Sequence, residues 1–202
     1  MIVNPSKIVC VGRNYADHAK ELGNEAPAEP ILFLKPPSAL LPHEGTIVRP
    51  AVSQRVDHEG ELAIVIGRTA RNVKAAEWRD YVRGFTCAND VTARDIQRKD
   101  VQFTRGKGFD TFCPIGPRVV EDLDVSDLRV STRVNGEVRQ DGRTSQMIFP
   151  PGVLMEFITS VMTLEPDDVI LTGTPAGVGP LQAGDVVEVE IEGIGVLRNP
   201  VA

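Results

Sequence analysis

A β-dominated α+β fold is what this sequence of 202 residues predicts, on three observations. Short apolar, β-branched runs recur along the chain, punctuated by 18 glycines and 15 prolines. Only one segment carries a convincing amphipathic helical pattern. Two C-terminal stretches alternate apolar and polar residues around turn-forming sequences, as hairpins do. Strands separated by short helices and hairpins disfavour a doubly wound sheet.

The elements follow in order. "KIVCVG" (7–12) reads as a strand stopped at Gly12, and "RNYADHAKELGN" (13–24) as a short helix ending at Gly23. "ILFLKPP" (31–37) is a strand stopped by prolines, and "ELAIVIG" (61–67) a buried strand ended by Gly67. "VKAAEWRDYV" (73–82) has helical propensity. "RGFTCANDV" (83–91) is a strand that runs into a short helix, "TARDIQRKD" (92–100), with Thr92 near its N-cap. "LRVSTRVNGEVRQDG" (128–142) alternates around Asn135-Gly136, a type I′ hairpin signal. "PPGVLMEFITSVMTLEPDD" (150–168) holds the amphipathic helix, with proline at its start. "DVVEVEIEGIGVLRNPV" (185–201) alternates Val and Ile with Glu, turns near Gly193–Gly195 and returns. No repeat, low-complexity segment or linker interrupts this pattern, so residues 1–202 are expected to form a single domain.

Composition narrows the function. Hydrophobic residues make up 42% and charged residues 25%, ordinary values for a globular protein. The net charge of −6 argues against nucleic acid as a partner, because phosphate binding needs a basic surface. No apolar run approaches the ~20 residues of a membrane span. The N-terminus lacks a basic region followed by a long apolar stretch, so no secretory signal is read. Cys10, Cys87 and Cys113 are odd in number and widely spaced, and read as reduced, buried thiols. A cytoplasmic protein is expected.

The segment "VDHEGELAIVIG" (56–67) places Glu59 and Glu61 one residue apart, before a wholly apolar run. On a strand they would share a face roughly 7 Å apart. Burying two like charges together is costly. Either they are solvated at the wet end of the strand, or something offsets their repulsion. Gly60 between them allows close backbone approach or a bulge. Asp90 closes an apolar strand, where it would serve either as a turn or cap residue or as a ligand. Three carboxylates without a matching cysteine or histidine cluster suit a hard divalent cation, Mg²⁺, Mn²⁺ or Ca²⁺. His18 and Glu21 stand at i and i+3 of the expected helix, so they are neighbours there. They could be an ordinary surface pair, or a general base with its orienting carboxylate. His43 and His58 read as structural, with His58 able to support Glu59.

Seven segments in order, "VGRNYADHAKELG", "FLKPPSAL", "DHEGELAIVIG", "CANDVTARDIQ", "GKGFDTFCPIGP", "VNGEVRQDGRTSQMIF" and "ILTGTPAGVGP", cover nearly the whole chain. Together they resemble the fumarylacetoacetate hydrolase superfamily, in particular its short acylpyruvate-hydrolase-like members. The resemblance implies a mixed β-sandwich roll with a few short helices, a homodimer, and a Mg²⁺ or Mn²⁺ ion held by Glu59, Glu61 and Asp90. It implies a catalytic dyad of His18 and Glu21, with Lys107 and Gln97 stabilising an oxyanion and Arg94 and Thr174 contacting a keto-acid substrate. The expected reaction is metal-dependent hydrolysis of a C–C bond in an acylpyruvate, giving pyruvate and a carboxylic acid. The same scaffold hosts isomerases and decarboxylases of 2-hydroxyhepta-2,4-dienedioate-type substrates, and oxaloacetate decarboxylation. A catalytically silent binder of keto acid or metal is the reading from another class. The loop "GNEAPAEP" (23–30) is expected to follow a lid helix. The additional N-terminal segment that many relatives carry is expected to be absent.

Overall fold

The computed structural model describes residues 2–202. In chain order the elements begin with β1 (Ile8–Gly12), α1 (Ala16–Glu21), β2 (Ile31–Lys35), β3 (Leu40–Pro42), β4 (Val56–His58), β5 (Gly60–Ile66) and β6 (Val82–Asn89). Then come β7 (Thr92–Ala93), α2 (Arg94–Lys99), α3 (Thr104–Lys107), β8 (Cys113–Val120), β9 (Arg129–Val134) and β10 (Glu137–Arg143). The chain closes with α4 (Pro151–Val161), β11 (Val169–Leu171), β12 (Gly179–Pro180), β13 (Val186–Ile191) and β14 (Gly195–Pro200). This is the α+β roll: a curled, mostly antiparallel sheet with a few short helices.

A seven-stranded sheet runs in the order β2-β1-β11-β5-β6-β8-β3, and only the β1–β11 and β3–β8 pairs are parallel. A four-stranded sheet, β10-β9-β13-β14, and a three-stranded one, β12-β4-β7, complete the β structure. Along β5 the side chains alternate between two cores. Leu62, Ile64 and Ile66 join Phe85, Val189, Leu197 and the α4 residues Leu154, Met155 and Ile158. Ala63 and Val65 join Ile8, Cys10, Ala88, Cys113 and Leu171 on the opposite face. A strand buried on both faces needs no polar alternation, which accounts for the continuous apolar run. In β13 the alternation is complete: Val187, Val189 and Ile191 are buried, while Glu188 and Glu190 face Arg133 of β9.

Both hairpins form. Asn135 and Gly136 both have positive φ, +53° and +79°, as a type I′ turn requires. The amphipathic helix forms with Pro151 in its first turn. Three expectations are corrected. Residues 73–82 give 3₁₀ turns over Ala75–Tyr81, not an α-helix. Trp78 and Tyr81, spaced by three, both pack on the core, which suits a three-residue period. The helix expected over 13–24 is confined to Ala16–Glu21, because Tyr15 is still extended and bridges Met147. Thr92 is not the N-cap of α2; it lies in β7, and Ala93 occupies the cap. Among the described residues no helix is long and apolar enough to cross a membrane.

Candidate active site

The chain changes sheets at Glu59, which lies between β4 and β5. The wet-end reading of the two glutamates is wrong: Glu59 is 4% exposed, Glu61 2% and Asp90 1%. Antiparallel pairing of β5 with β6 sets Gly60 opposite Asn89, which carries Asp90 to the Glu59 end of β5. The Asp90 N–H donates to the Glu59 carbonyl at 2.8 Å, and the Glu59 N–H donates to Asn89 Oδ1 at 2.9 Å. Ligand oxygens of Glu59, Glu61 and Asp90 lie within 4.8 Å of one another. Gly60 is obligatory between the glutamates. A Cβ there would collide with the Thr132 hydroxyl and press on both Val189 methyls, at 3.2 and 3.3 Å.

Buried cations answer most of this negative charge. Lys107, brought by α3, donates to Glu59 Oε2 (2.9 Å), Asp90 Oδ2 (2.5 Å) and the Thr92 hydroxyl (2.8 Å). Arg94, at the start of α2, donates to Asp57 Oδ2, Glu59 Oε1 and Gln97 Oε1. Lys35, fully buried at the end of β2, donates to Asp90 Oδ1 at 2.5 Å and to the Val91 carbonyl. Burial alone would raise the Glu59 pKa, but Lys107 and Arg94 overcome it and hold the carboxyl well below its usual range. Burial likewise works against the Lys107 charge, and Asp90 and Glu59 keep it ionised.

Glu61 differs. Among the described residues it makes no ion pair, and one of its oxygens accepts the Gly173 N–H at 2.6 Å. Burial first, then Asp90 and Glu59, push its pKa well above the carboxylate range. Three oxygen donors, one lacking a countercharge, form a donor set that fits a hard divalent cation.

His18 and Thr174 arrive on segments that follow the parallel strands β1 and β11. His18, 4% exposed on α1, has Nδ1 3.5 Å from Glu21 Oε2, long for a hydrogen bond. Glu21 also accepts the Gly177 N–H at 3.1 and 3.2 Å, which ties α1 to the loop after β11. Burial lowers the His18 pKa against the opposing pull of Glu59, which favours the uncharged ring. The Thr174 hydroxyl is committed to the Gly60 carbonyl and to Gln140. A cleft of about 310 Å³ is lined by His18, the three carboxylates, Arg94, Gln97, Lys107 and Thr174 among others. Every residue singled out for the site thus borders one cavity, except Glu21, which stands behind His18.

Three residues that organise the site escaped the sequence reading. Gln140 is fully buried; its oxygen accepts the Gly60 N–H and faces the His58 ring, and its amide donates to Thr174 Oγ1 and the Pro175 carbonyl. Asn14 donates to the Phe149 and Thr172 carbonyls and accepts the Phe149 N–H, fixing the loop that presents Gly173 to Glu61. Lys35 is the third. A lone Gln, Asn or Lys in a strand-rich sequence carries no signal of such a role. The structural reading of the other histidines agrees with their contacts: His58 faces Gln140, and His43 accepts the Arg198 N–H.

Comparison with known proteins places this architecture. The family model for the fumarylacetoacetate hydrolase C-terminal region matches residues 7–202. A protein of Methanocaldococcus jannaschii is 60% identical over 98% of this chain and 83% of its own length. Oxaloacetate decarboxylase of Dictyostelium discoideum is 48% identical, covering 93% of this chain and 89% of that one. Human mitochondrial oxaloacetate tautomerase is 46% identical, covering 99% and 68%. Among solved structures, 5-carboxymethyl-2-hydroxymuconate delta-isomerase from Mycobacterium smegmatis superposes with a TM-score of 0.94 at 54% identity, over 99% of this chain and 80% of that one. Fumarylpyruvate hydrolase from Pseudomonas aeruginosa, solved with Mn²⁺ and pyruvate, gives 0.92 at 30% identity, over 99% and 91%. With the family model matching residues 7–202 and relatives 46–60% identical over nearly the whole chain, the chain belongs to the fumarylacetoacetate hydrolase family.

Proposed function

We propose that this chain is a divalent-metal-dependent enzyme acting on a short 2-oxo acid, by keto–enol isomerisation or decarboxylation of an oxaloacetate-type substrate. The observation that carries the reading is the buried Glu59–Glu61–Asp90 cluster, open to a cleft that His18 also lines. Relatives named for oxaloacetate tautomerisation and decarboxylation, at 46–48% identity, favour these reactions over the acylpyruvate hydrolysis expected from the sequence.

Glu59, Glu61 and Asp90 would hold Mg²⁺ or Mn²⁺, which supplies Lewis-acid stabilisation of enolate charge. Lys107, with its three protons engaged by acceptors, fixes Glu59 and Asp90 in place. Arg94 orients Glu59, and the Arg94–Gln97 bond leaves the Gln97 amide group to donate into the cleft. In tautomerisation, His18 would take a proton from C3 of the substrate and return it to the C2 oxygen, so the proton count is unchanged. No carbon–carbon bond breaks. In decarboxylation, the C3–C4 bond breaks, CO₂ leaves, its electron pair becomes the enolate, and a proton returned to C3 gives pyruvate. Closure of α1 through Glu21 and Gly177 would exclude water.

Hydrolysis of an acylpyruvate is the second reading. It draws support from the His18–Glu21 pair and from the fumarylpyruvate hydrolase likeness. There His18 would deprotonate an attacking water. Turnover of oxaloacetate, an acylpyruvate and 2-hydroxyhepta-2,4-dienedioate, each with and without Mg²⁺, tests the proposal. Oxaloacetate is expected to be the best substrate. A faster acylpyruvate reaction would transfer the assignment to hydrolysis, and no turnover of any would leave a silent binder. The homodimer implied by the family resemblance belongs to the same proposal; a monomer by light scattering at micromolar concentration overturns it.

A further inference from the structure

With every group ionised, the charge network around the carboxylates is balanced. Four buried carboxylates, Asp57, Glu59, Glu61 and Asp90, stand with three buried cations, Arg94, Lys35 and Lys107, and with the exposed Arg55, which pairs with Asp57. A divalent cation therefore brings two uncompensated positive charges. The head of a 2-oxo acid, its carboxylate plus a developing enolate, brings two negative ones. The inner site then has no charge left for a second carboxylate.

Two further cations line the same cleft, Arg13 and Arg98. Among the described residues, neither makes an ion pair or a side-chain hydrogen bond. Arg98 stands one residue after Gln97 on α2 and is exposed. Arg13 lies between β1 and α1, half-buried, with φ at +57°. A non-glycine residue in the left-handed region is uncommon, and such backbone persists where the surroundings enforce it. Here Asn14, the next residue, is anchored to Phe149 and Thr172, so the backbone that carries Arg13 is fixed. The cleft lining also includes Leu22, Phe33 and Phe103, where an uncharged acyl tail could lie instead.

We propose that Arg13 and Arg98 form an anion subsite at the mouth of the cleft, which takes the distal carboxylate of a 2-oxo dicarboxylic acid and so selects dicarboxylates over monoacids. This rests on the keto-acid reading above. Both arginines present fork-shaped donors suited to a carboxylate, free of competing partners.

The test is calorimetric titration of the Mg²⁺-loaded protein with two acids of equal chain length, 2-oxoglutarate and 2-oxopentanoate, which differ by a carboxylate in place of a methyl. 2-Oxoglutarate is expected to bind at least about tenfold more tightly, as a charge-assisted hydrogen bond implies. Arg98→Ala and Arg13→Asn should each weaken it about 10- to 100-fold while 2-oxopentanoate stays within about twofold. Asn is chosen at position 13 because it tolerates positive φ. Arg98→Lys should restore most of the loss, which a purely structural role would not predict. With oxaloacetate, Arg98→Ala should raise KM more than it lowers kcat. Equal binding of the two acids, or parallel loss of both in the variants, overturns the subsite and leaves the keto-acid site standing. If the protein binds Mg²⁺ but neither acid, the keto-acid reading itself falls.

Discussion

Gly60 shows how one residue can carry a site. It sits between two ligand-bearing glutamates, and Thr132 and Val189 of the four-stranded sheet close over its α-carbon. Gly60→Ala should destabilise the protein by about 1–3 kcal/mol through overpacking. Because the Thr132 hydroxyl has no hydrogen-bond partner among the described residues, Thr132→Ala should recover part of that loss in the double variant. Denaturant titration of the single and double variants reads this, and simple additivity of the two changes would refute the contact. Gln140→Leu should cost more. It strands the Gly60 N–H and the Pro175 carbonyl, at about 1–3 kcal/mol for each buried unsatisfied group, while the Thr174 hydroxyl keeps its bond to the Gly60 carbonyl. Loss of metal affinity together with loss of stability is expected there.

At the scale of elements, α1 decides what His18 can do. The helix has six residues and is too short to be stable alone. Its ties are the Glu21–Gly177 hydrogen bonds and the packing of Ala19. His18→Ala should lower acylpyruvate hydrolysis by about 10²–10⁴-fold as general-base catalysis does, and oxaloacetate decarboxylation less, since no water attacks there. Metal affinity should be unchanged, because among the described residues His18 makes no hydrogen bond or ion pair with Glu59, Glu61 or Asp90 and pairs with Glu21. Equal loss of both activities would make α1 a positioning lid instead. The pH dependence follows from the lowered His18 pKa. Between that value and the ordinary 6.5, the unfolded chain binds the proton and the native ring does not, so stability rises with pH through this window and is complete above it. The acid limb of kcat/KM should accordingly fall below pH 6.5.

For the whole molecule, the site joins three sheets, so a bound ion should stabilise everything at once. At a hundredfold excess over Kd, Mg²⁺ adds about 2.7 kcal/mol, which for a domain of this size is about 5–10 °C in Tm. The gain should grow as pH rises above the ordinary carboxylate range. Glu61 has a raised pKa, so without metal its stability contribution is present at low pH and is lost as pH rises through that value. Metal relieves the repulsion at the higher pH. A Tm shift independent of pH would contradict this account of Glu61. The buried thiols should stay silent throughout, as burial raises the pKa of Cys87 and Cys113 to about 12.

The sequence alone determined the elements whose signal is local. The Asn135-Gly136 turn, the alternation of β13 and the proline-started α4 each depend on residues within one element, so short-range pattern sufficed. The same holds for the Glu59–Glu61 pair, whose spacing of two puts both carboxylates on one face. Tertiary structure decided whether those charges were wet or buried, because only the β5–β6 register brings Asp90 to them. It also decided that Trp78 and Tyr81 wind as 3₁₀ turns, since the core they meet is assembled from distant strands. Lys35, Asn14 and Gln140 were illegible for that reason: their partners lie 55, 135 and 80 positions away, and no local pattern encodes a hydrogen bond across such separations.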